Sequence, residues 1–268
     1  IPDCDPALGE PKAIYCRGFK RPATKAEECR LSLTPSRSLL ANLNALLRIH
    51  DPDLILTDWG DTWLLPYLLD LGLTLNRFGL TEVRRIQERS YFSYGQIVYR
   101  GAQVLLRGRW HIDRQNAMLW KDYGLAGVLE SARATSLPVQ TAARASPGTG
   151  ISAVQMLTAL RQGVLIPWQK QQPEALKPAS AQFAADQGGL VYQPLVGLHR
   201  DVAEIDFISM YPAIMVYYNL SPETVGPLGQ YDQPIPGVEL SVDTARRGIV
   251  PLALQPLLER RIGLKRQI

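Results

Sequence analysis

The chain has 268 residues, 46% of them apolar and 20% charged, an ordinary globular composition that excludes disorder over the whole length. The 29 Lys and Arg against 25 Asp and Glu give a net charge of +4, which permits an anionic partner without requiring one. No apolar run approaches the roughly 18 residues that cross a bilayer, so no membrane role is expected.

Residues 1–36 are rich in Pro and turn formers and resist assignment. They open on Ile1-Pro2-Asp3-Cys4-Asp5, with no basic start and no apolar core, so no secretory signal is expected. The missing initiator Met suggests a piece of a longer chain. Three cysteines, Cys4, Cys16 and Cys29, lie 12 and 13 residues apart. The odd count argues against a disulfide framework and for a reducing compartment, and the spacing fits no zinc site. An intracellular setting, cytoplasmic or nucleoid-associated, follows.

From Ser38 to Ile49, Leu39, Leu40, Leu43, Leu46 and Leu47 recur at helical spacing, with Ser36 or Ser38 as the expected cap and Pro52 beyond the end. Leu54-Ile55-Leu56 reads as a short buried strand, and Asp61 to Leu71 as a helix closed by Gly72. This alternation predicts a mixed α/β layer. Gln96–Tyr99, Val104–Leu106 and Arg109–Ile112 read as three strands of a meander, punctuated by Gly101 and Gly108. Helices are expected over Gly124–Thr135 and from about Ser152 to Gln162, separated by a turn at Ser146-Pro147-Gly148-Thr149-Gly150. Trp110, His111 and Trp120 form either a stacking surface for nucleic acid or, more commonly for such residues, part of the core. Arg133, Arg144 and Arg161 add positive charge near the Gly-rich turn. The polar stretch 168–187, with Pro173 and Pro178, predicts a linker between a domain at 1–167 and another at 188–268. A strand over Val202–Phe207 then leads to a helix in which Pro212 occupies the first turn, so Asp206 is expected near a strand end, a common place for ligand-binding groups. Leu257–Lys265 reads as a basic helix.

One run stands out. Asp206-Phe207-Ile208-Ser209-Met210-Tyr211-Pro212-Ala213-Ile214 closely resembles motif A of family B DNA polymerases, with Met210 in place of a Leu and Ala213 in place of a Ser. The resemblance is collinear over Gly188 to Lys265. Gly188-Gly189-Leu190-Val191, Pro194 and Gly197-Leu198-His199 precede the motif. Asn219-Leu220-Ser221-Pro222-Glu223-Thr224, Gly248-Ile249-Val250-Pro251 and Leu257-Leu258-Glu259-Arg260-Arg261 with Lys265 follow it. The resemblance implies the start of a polymerase palm. Asp206 and the backbone carbonyl of Phe207 would be oxygen ligands of Mg²⁺, and Asp206 the catalytic carboxylate. Amides around Ser209, Met210 and Tyr211 would bind the triphosphate, and the Tyr211 ring would exclude a 2′-hydroxyl. Phosphoryl transfer is mostly positioning and charge neutralisation, which explains why such a site needs these groups. Arg260, Arg261 and Lys265 are candidate contacts to DNA, although a solvated helix face is the plainer reading of each alone. Asn219 and Thr224 are equally compatible with fixing a loop.

The same family carries a ribonuclease-H-like 3′–5′ exonuclease domain before the palm. Asp51-Pro52-Asp53-Leu54-Ile55-Leu56 followed by Gly60-Asp61-Thr62-Trp63-Leu64-Leu65-Pro66-Tyr67 resembles its second motif, but Trp59 stands at the Asn position and Leu64 at that of the metal-binding Asp. The first motif is echoed only by Asp3-Cys4-Asp5. For the third, Gly127 stands four residues after Tyr123, and Met118 four before Asp122. No exonuclease carboxylate is intact by this reading, so the fold is expected to persist without nuclease activity. Asp61, Asp113 and Asp122 are read as capping or surface residues.

The expectation is therefore part of a DNA-directed DNA polymerase acting on primer-template DNA and deoxynucleoside triphosphates with Mg²⁺. The alternative is a non-catalytic polymerase relative that binds DNA or scaffolds replication or repair. The fingers motif Asn-Ser-x-Tyr-Gly and the later Asp-Thr-Asp are absent from the 268 residues, so this chain alone is not expected to polymerise DNA without the remaining polymerase part.

Overall fold

The computed structural model describes residues 5–18, 27–80, 82–93, 95–118, 120–168, 176, 178–180, 183 and 192–267. Contacts divide the chain into two compact units, Ile1–Gly150 and Ile151–Ile268. This division lies upstream of the expected 168–187 linker, most of which is outside the described residues.

The first unit opens with an antiparallel pair, β1 (Ala13–Gly18) and β2 (Glu27–Ser32), in the stretch that resisted assignment. Alternation buries Ile14 while Tyr15 faces outward. Leu33 follows β2 into the same core. Helix α1 (Ser36–His50) then supplies Leu39 and Leu43 to that core, as its periodicity predicts. The expected serine cap is not made. Ser36 is already helical and the N-cap is Pro35, which follows a cis peptide bond. The helix stops at Asp51, whose left-handed backbone (φ 34°) returns its N–H to the Leu47 carbonyl.

Strand β3 (Leu54–Thr57) leads into a wide π-type turn, Gly60–Leu64, and then the short helix α2 (Leu65–Asp70). The strand is only partly buried, since Leu56 remains exposed. After α2 come β4 (Arg84–Ile86), β5 (Arg89–Ser93), β6 (Gln96–Arg100), β7 (Gln103–Leu105) and β8 (Trp110–Asp113). They do not form the expected meander. β6 pairs with β5 and β7 with β4, both antiparallel, while β8 runs parallel to β3 in the register Leu54–Trp110 to Thr57–Asp113. Glycine turns signal where strands end, but they do not choose partners. The β3–β8 pair places Thr57 and Asp113 opposite each other.

Helix α3 (Trp120–Thr135) starts earlier than expected, and the backbone of Gly124 breaks its regularity (φ 57°, ψ −156°). Helix α4 (Val139–Ala142) follows, and Ile112, Val128 and Ala143 form a second small core with Trp120, Leu125 and Val139 around them. Helix α5 (Pro147–Arg161) begins five residues before the predicted start. The run 146–150 is therefore a helix start rather than a plain turn. Pro147 sits at the first helical position, where a missing N–H costs nothing, and the Ser146 hydroxyl accepts the Thr149 N–H at 3.3 Å.

In the second unit, residues 192–207 are irregular. The strand expected over Val202–Phe207 is not formed. A strand needs a ladder partner for its N–H and C=O groups, and residues 202–207 are exposed and unpaired among the described residues. Helix α6 (Met210–Tyr217) follows, then a three-stranded antiparallel sheet of β9 (Val225–Pro227), β10 (Gln233–Pro234) and β11 (Leu240–Val242), with β11 central. Helix α7 (Ile249–Lys265) extends the predicted basic helix by eight residues at its start. Val216 of α6 packs on Leu254 and Leu258 of α7, which recur at i, i+4 spacing.

Leu39 is 1% exposed at the centre of the larger core. Leu39→Ala is expected to destabilise the first unit by about 3 kcal/mol, because a methylene-rich side chain is removed where neighbours collapse only partly. Urea unfolding followed by tryptophan fluorescence should show a lower midpoint with an unchanged slope.

Candidate functional site

The conspicuous run from Asp206 to Tyr211 folds as a reversal into a helix. Ser209 adopts a left-handed backbone (φ 53°, ψ 46°) and its carbonyl accepts the Ala213 N–H at 2.9 Å. The first turn of a helix leaves N–H groups without intrahelical acceptors. Pro212 lacks one, so the amides of Met210 and Tyr211 are those this turn presents. The Asp206 carboxylate is exposed and makes no hydrogen bond or ion pair among the described residues. Phe207 and Tyr211 are exposed beside it. The Ser209 hydroxyl is shielded and has no hydrogen-bond partner among the described residues. The fold thus gathers Asp206, Phe207, Ser209, Met210 and Tyr211 at one helix start. Arg260, Arg261 and Lys265 are exposed on the later half of α7.

The next segment is a fastener. Asn219, also left-handed (φ 56°), donates from its amide to the carbonyls of Asp243 and Arg246, each at 2.7 Å, and accepts the Gly248 N–H at 2.9 Å. Ser221 accepts the Val250 N–H at 3.2 Å, and Glu223 accepts that of Ile249. The Thr224 hydroxyl, fully buried, donates to the Asn219 carbonyl at 2.6 Å. These side chains cap the N-terminus of α7, whose own N-cap, Gly248, has no side chain to do so. Gly248 is needed for closeness: a Cβ there would lie 2.5 Å from the Ser221 Cβ. Burial pushes the Glu223 carboxyl up, but the Ile249 N–H and the Ser221 hydroxyl outweigh it and hold it below the usual range. Asn219 and Thr224 therefore fix a loop, one of their two readings from sequence.

The first unit holds a buried polar cluster that the sequence reading did not foresee. Leu64, at the position resembling a metal-binding Asp, lies in the apolar core. Asp61, read as a capping or surface residue, is 1% exposed, and so is Asp113. Arg144, read as charge near a loop, points inward from the end of α4. Its Nε and Nη2 donate to the two Asp61 carboxylate oxygens at 2.7 and 2.8 Å, a bidentate pair. The same oxygens accept the Val104 N–H at 2.8 Å and the Asn116 amide at 2.7 Å. Arg144 Nη1 donates to the Gln140 and His111 carbonyls. The Asp61 N–H donates to Asp113 Oδ2 at 3.0 Å.

His111 is fully buried within this cluster, which excludes it from any exposed stacking surface. Its Nδ1 donates to the Val104 carbonyl at 2.8 Å and its Nε2 accepts the Thr57 hydroxyl at 2.8 Å, which assigns the neutral Nδ1–H tautomer. Burial pushes its pKa down to about 4, with Arg144 adding to the shift and Asp61 and the Val104 carbonyl opposing it. Burial also raises the Asp113 carboxyl above its ordinary range, against the N–H groups of Asp61 and Gln115. Gly60 admits the imidazole: a Cβ there would lie 2.6 Å from His111 Nε2 and 1.9 Å from Thr57 Oγ1. Chemically, this cluster stores paired charge. Each Asp61 oxygen already accepts two donors, so the carboxylate has little capacity left for a metal. The remaining candidate, Asp122, is exposed at the start of α3, and Asp3 and Cys4 lie outside the described residues.

Residues 148–268 match the family described as DNA polymerase family B. DNA polymerase 2 of Saccharolobus solfataricus is 30% identical over 140 residues, covering 52% of this chain and 22% of that protein. A DNA polymerase of Pyrococcus glycovorans is 24% identical over 289 residues, covering 88% of this chain and 37% of the relative. Among solved structures, the family B DNA polymerase from Pyrobaculum calidifontis superposes with a TM-score of 0.58 over 91% of this chain and 38% of that one, at 21% identity. Residues 148–268 are thus similar to DNA polymerase family B. The chain shares its mixed α/β fold with that structure. It spans between about a fifth and two fifths of the length of these relatives. No described helix is long and apolar enough to cross a membrane.

The Asp61–Arg144 pair is tested by a double-mutant cycle. Arg144→Met strands a buried carboxylate and is expected to cost roughly 3–5 kcal/mol, whereas Asp61→Leu combined with Arg144→Met should recover most of that loss. Acid titration of stability tests His111. The unfolded chain binds its proton near pH 6.5 and the folded chain only near 4, so stability present above pH 6.5 should fall progressively as pH drops through that window. The loss is on the order of 3 kcal/mol. The raised Asp113 opposes part of it, because the folded chain takes up that proton first. His111→Gln should flatten the slope measured by denaturant unfolding at stepped pH.

Proposed function

We propose that the whole protein is a DNA-directed DNA polymerase that extends a primer on a template from deoxynucleoside triphosphates, and that its exonuclease-like unit does not hydrolyse DNA. The observation that carries the reading is the gathering of Asp206, Phe207, Ser209, Met210 and Tyr211 at the start of α6, inside the stretch that matches family B.

The donor set fits Mg²⁺. The Asp206 carboxylate and the Phe207 carbonyl are hard oxygen donors, and Asp206 has no competing partner among the described residues. Mg²⁺ is commonly held by one or two carboxylates together with waters and phosphates. When bound, the ion neutralises phosphate charge and polarises the reacting oxygens. The Met210 and Tyr211 amides, at the positive end of α6, donate to a triphosphate oxygen. The Ser209 hydroxyl, shielded without a partner, supplies one further donor toward the same anion. The Tyr211 ring packs under the sugar and leaves no room for a 2′-hydroxyl. Arg260, Arg261 and Lys265 contribute phosphate contacts along the DNA. The 268 residues contain one such carboxylate site and neither Asn-Ser-x-Tyr-Gly nor Asp-Thr-Asp, so extension requires the rest of the polymerase.

Loss of proofreading is supported by Leu64 in the core and by the saturation of Asp61 with hydrogen bonds from Arg144, Asn116 and Val104. A carboxylate so committed cannot also serve two-metal hydrolysis.

Primer extension by the full-length gene product with Mg²⁺ is the test. Extension should disappear in Asp206→Ala, and Tyr211→Ala should raise ribonucleotide incorporation about tenfold or more. Single-stranded DNA should remain undegraded by the same preparation. A folded, DNA-binding product that extends nothing would replace this reading with that of a non-catalytic scaffold. Hydrolysis that tracks the purified protein would overturn the loss of proofreading.

A further inference from the structure

We infer that Cys16 and Cys29 form a reversible cross-strand dithiol–disulfide pair that pins the β1–β2 hairpin when the surroundings turn oxidising. In the antiparallel register Cys16 stands directly opposite Cys29, with Ile14 opposite Leu31 on the same face. Both cysteines are free and half-buried, and Cys16 packs at the edge of the larger core. A spacing of 13 residues conceals this pairing; only the hairpin register brings the two sulfurs together.

The register also indicates what kind of bond results. The Leu33 N–H donates to the Lys12 carbonyl, one pair before the ladder begins. Antiparallel pairs alternate between hydrogen-bonded and non-hydrogen-bonded types. Counting from Lys12 and Leu33 puts Cys16 and Cys29 at a hydrogen-bonded pair, where Cα atoms stand about 5.5 Å apart. That lies within the range a disulfide accepts. Side chains at such pairs are the more widely separated, however, so closure to bonding distance strains the hairpin. A strained disulfide is readily reduced, which suits a switch rather than a permanent staple.

The chemistry balances with a low-molecular-weight disulfide such as oxidised glutathione. Burial, together with the facing Cys29, pushes the Cys16 thiol up to about 11, so Cys16 stays protonated at neutral pH and first attack falls to Cys29. The Cys29 thiolate attacks one glutathione sulfur, forms a mixed disulfide and releases one glutathione thiolate. Cys16 then gives up its proton and attacks the Cys29 sulfur, and the second glutathione leaves. Two protein thiols are oxidised, and one glutathione disulfide is reduced to two thiols. The hairpin carries Ile14 and Leu33 into the core above α1, so the bond ties the edge of that core shut.

The test uses the native chain with oxidised glutathione, trypsin under non-reducing conditions and mass spectrometry. The expected product is lighter by two hydrogens and yields residues 13–17 joined to residues 26–30, both released by cleavage after Lys12, Arg17, Lys25 and Arg30. It should revert with reduced glutathione alone. Cys4→Ser should leave the product unchanged, and Cys16→Ser should instead leave a stable glutathione adduct on Cys29. A lasting adduct in the unsubstituted chain, a bridge to Cys4, no mass change, or a bridge that reduced glutathione cannot open would each overturn the proposal.

Discussion

The first unit depends on one buried ion pair. Asp61 and Arg144 are 83 residues apart in sequence and meet with side chains 0% and 3% exposed. Two charges removed from water are tolerable only when geometry and further hydrogen bonds offset the desolvation. Here Val104, Asn116, Gln140 and His111 complete the set. The pair therefore fixes the mutual placement of the wide turn at Gly60–Leu64, strands β7 and β8, and the end of α4. His111 is held neutral by the same crowding. Gly60 has to be glycine because the imidazole and the Thr57 hydroxyl occupy the space its side chain would need.

The second unit is organised by side chains that cap a helix instead. Asn219, Ser221, Glu223 and Thr224 bind the exposed amides and carbonyls of the segment that enters α7. This leaves α7 anchored at its start and packed on α6 through Leu254 and Leu258. The unit thus separates two kinds of polar motif. Residues 219–224 spend their polar groups on the fold, while Asp206 and the turn at Ser209 keep theirs unspent. Groups left unspent are those available to a ligand, and that contrast singles out the start of α6.

What could be read from the chain was local. The leucines of α1 recur at helical spacing and bury the side they predict. Pro212 falls in a first helical turn, as its sequence position predicts. The run from Asp206 to Tyr211 was legible as a motif because its residues are contiguous. The polar cluster of the first unit was not, because Asp61, His111 and Arg144 become neighbours only through the parallel pairing of β3 with β8 and the return of α4. The meander does not form because β6 folds back on the neighbouring β5, β7 pairs with β4, and β8 takes the distant β3. The Val202–Phe207 segment failed for the converse reason, since strand character in a sequence does not supply a ladder partner.

The sequence by itself determined which stretches are helical, the palm-like motif and the presence of Leu64 where a related motif has a carboxylate, because each depends on residue type and spacing along a few turns of backbone. The tertiary structure alone decided which strands pair, that Asp61 is a buried partner of Arg144 rather than a surface charge, that Asn219 and Thr224 serve the fold, and that Cys16 faces Cys29. Those outcomes depend on free energies of burial and pairing between distant segments, and such energies have no signature until the chain has closed on itself.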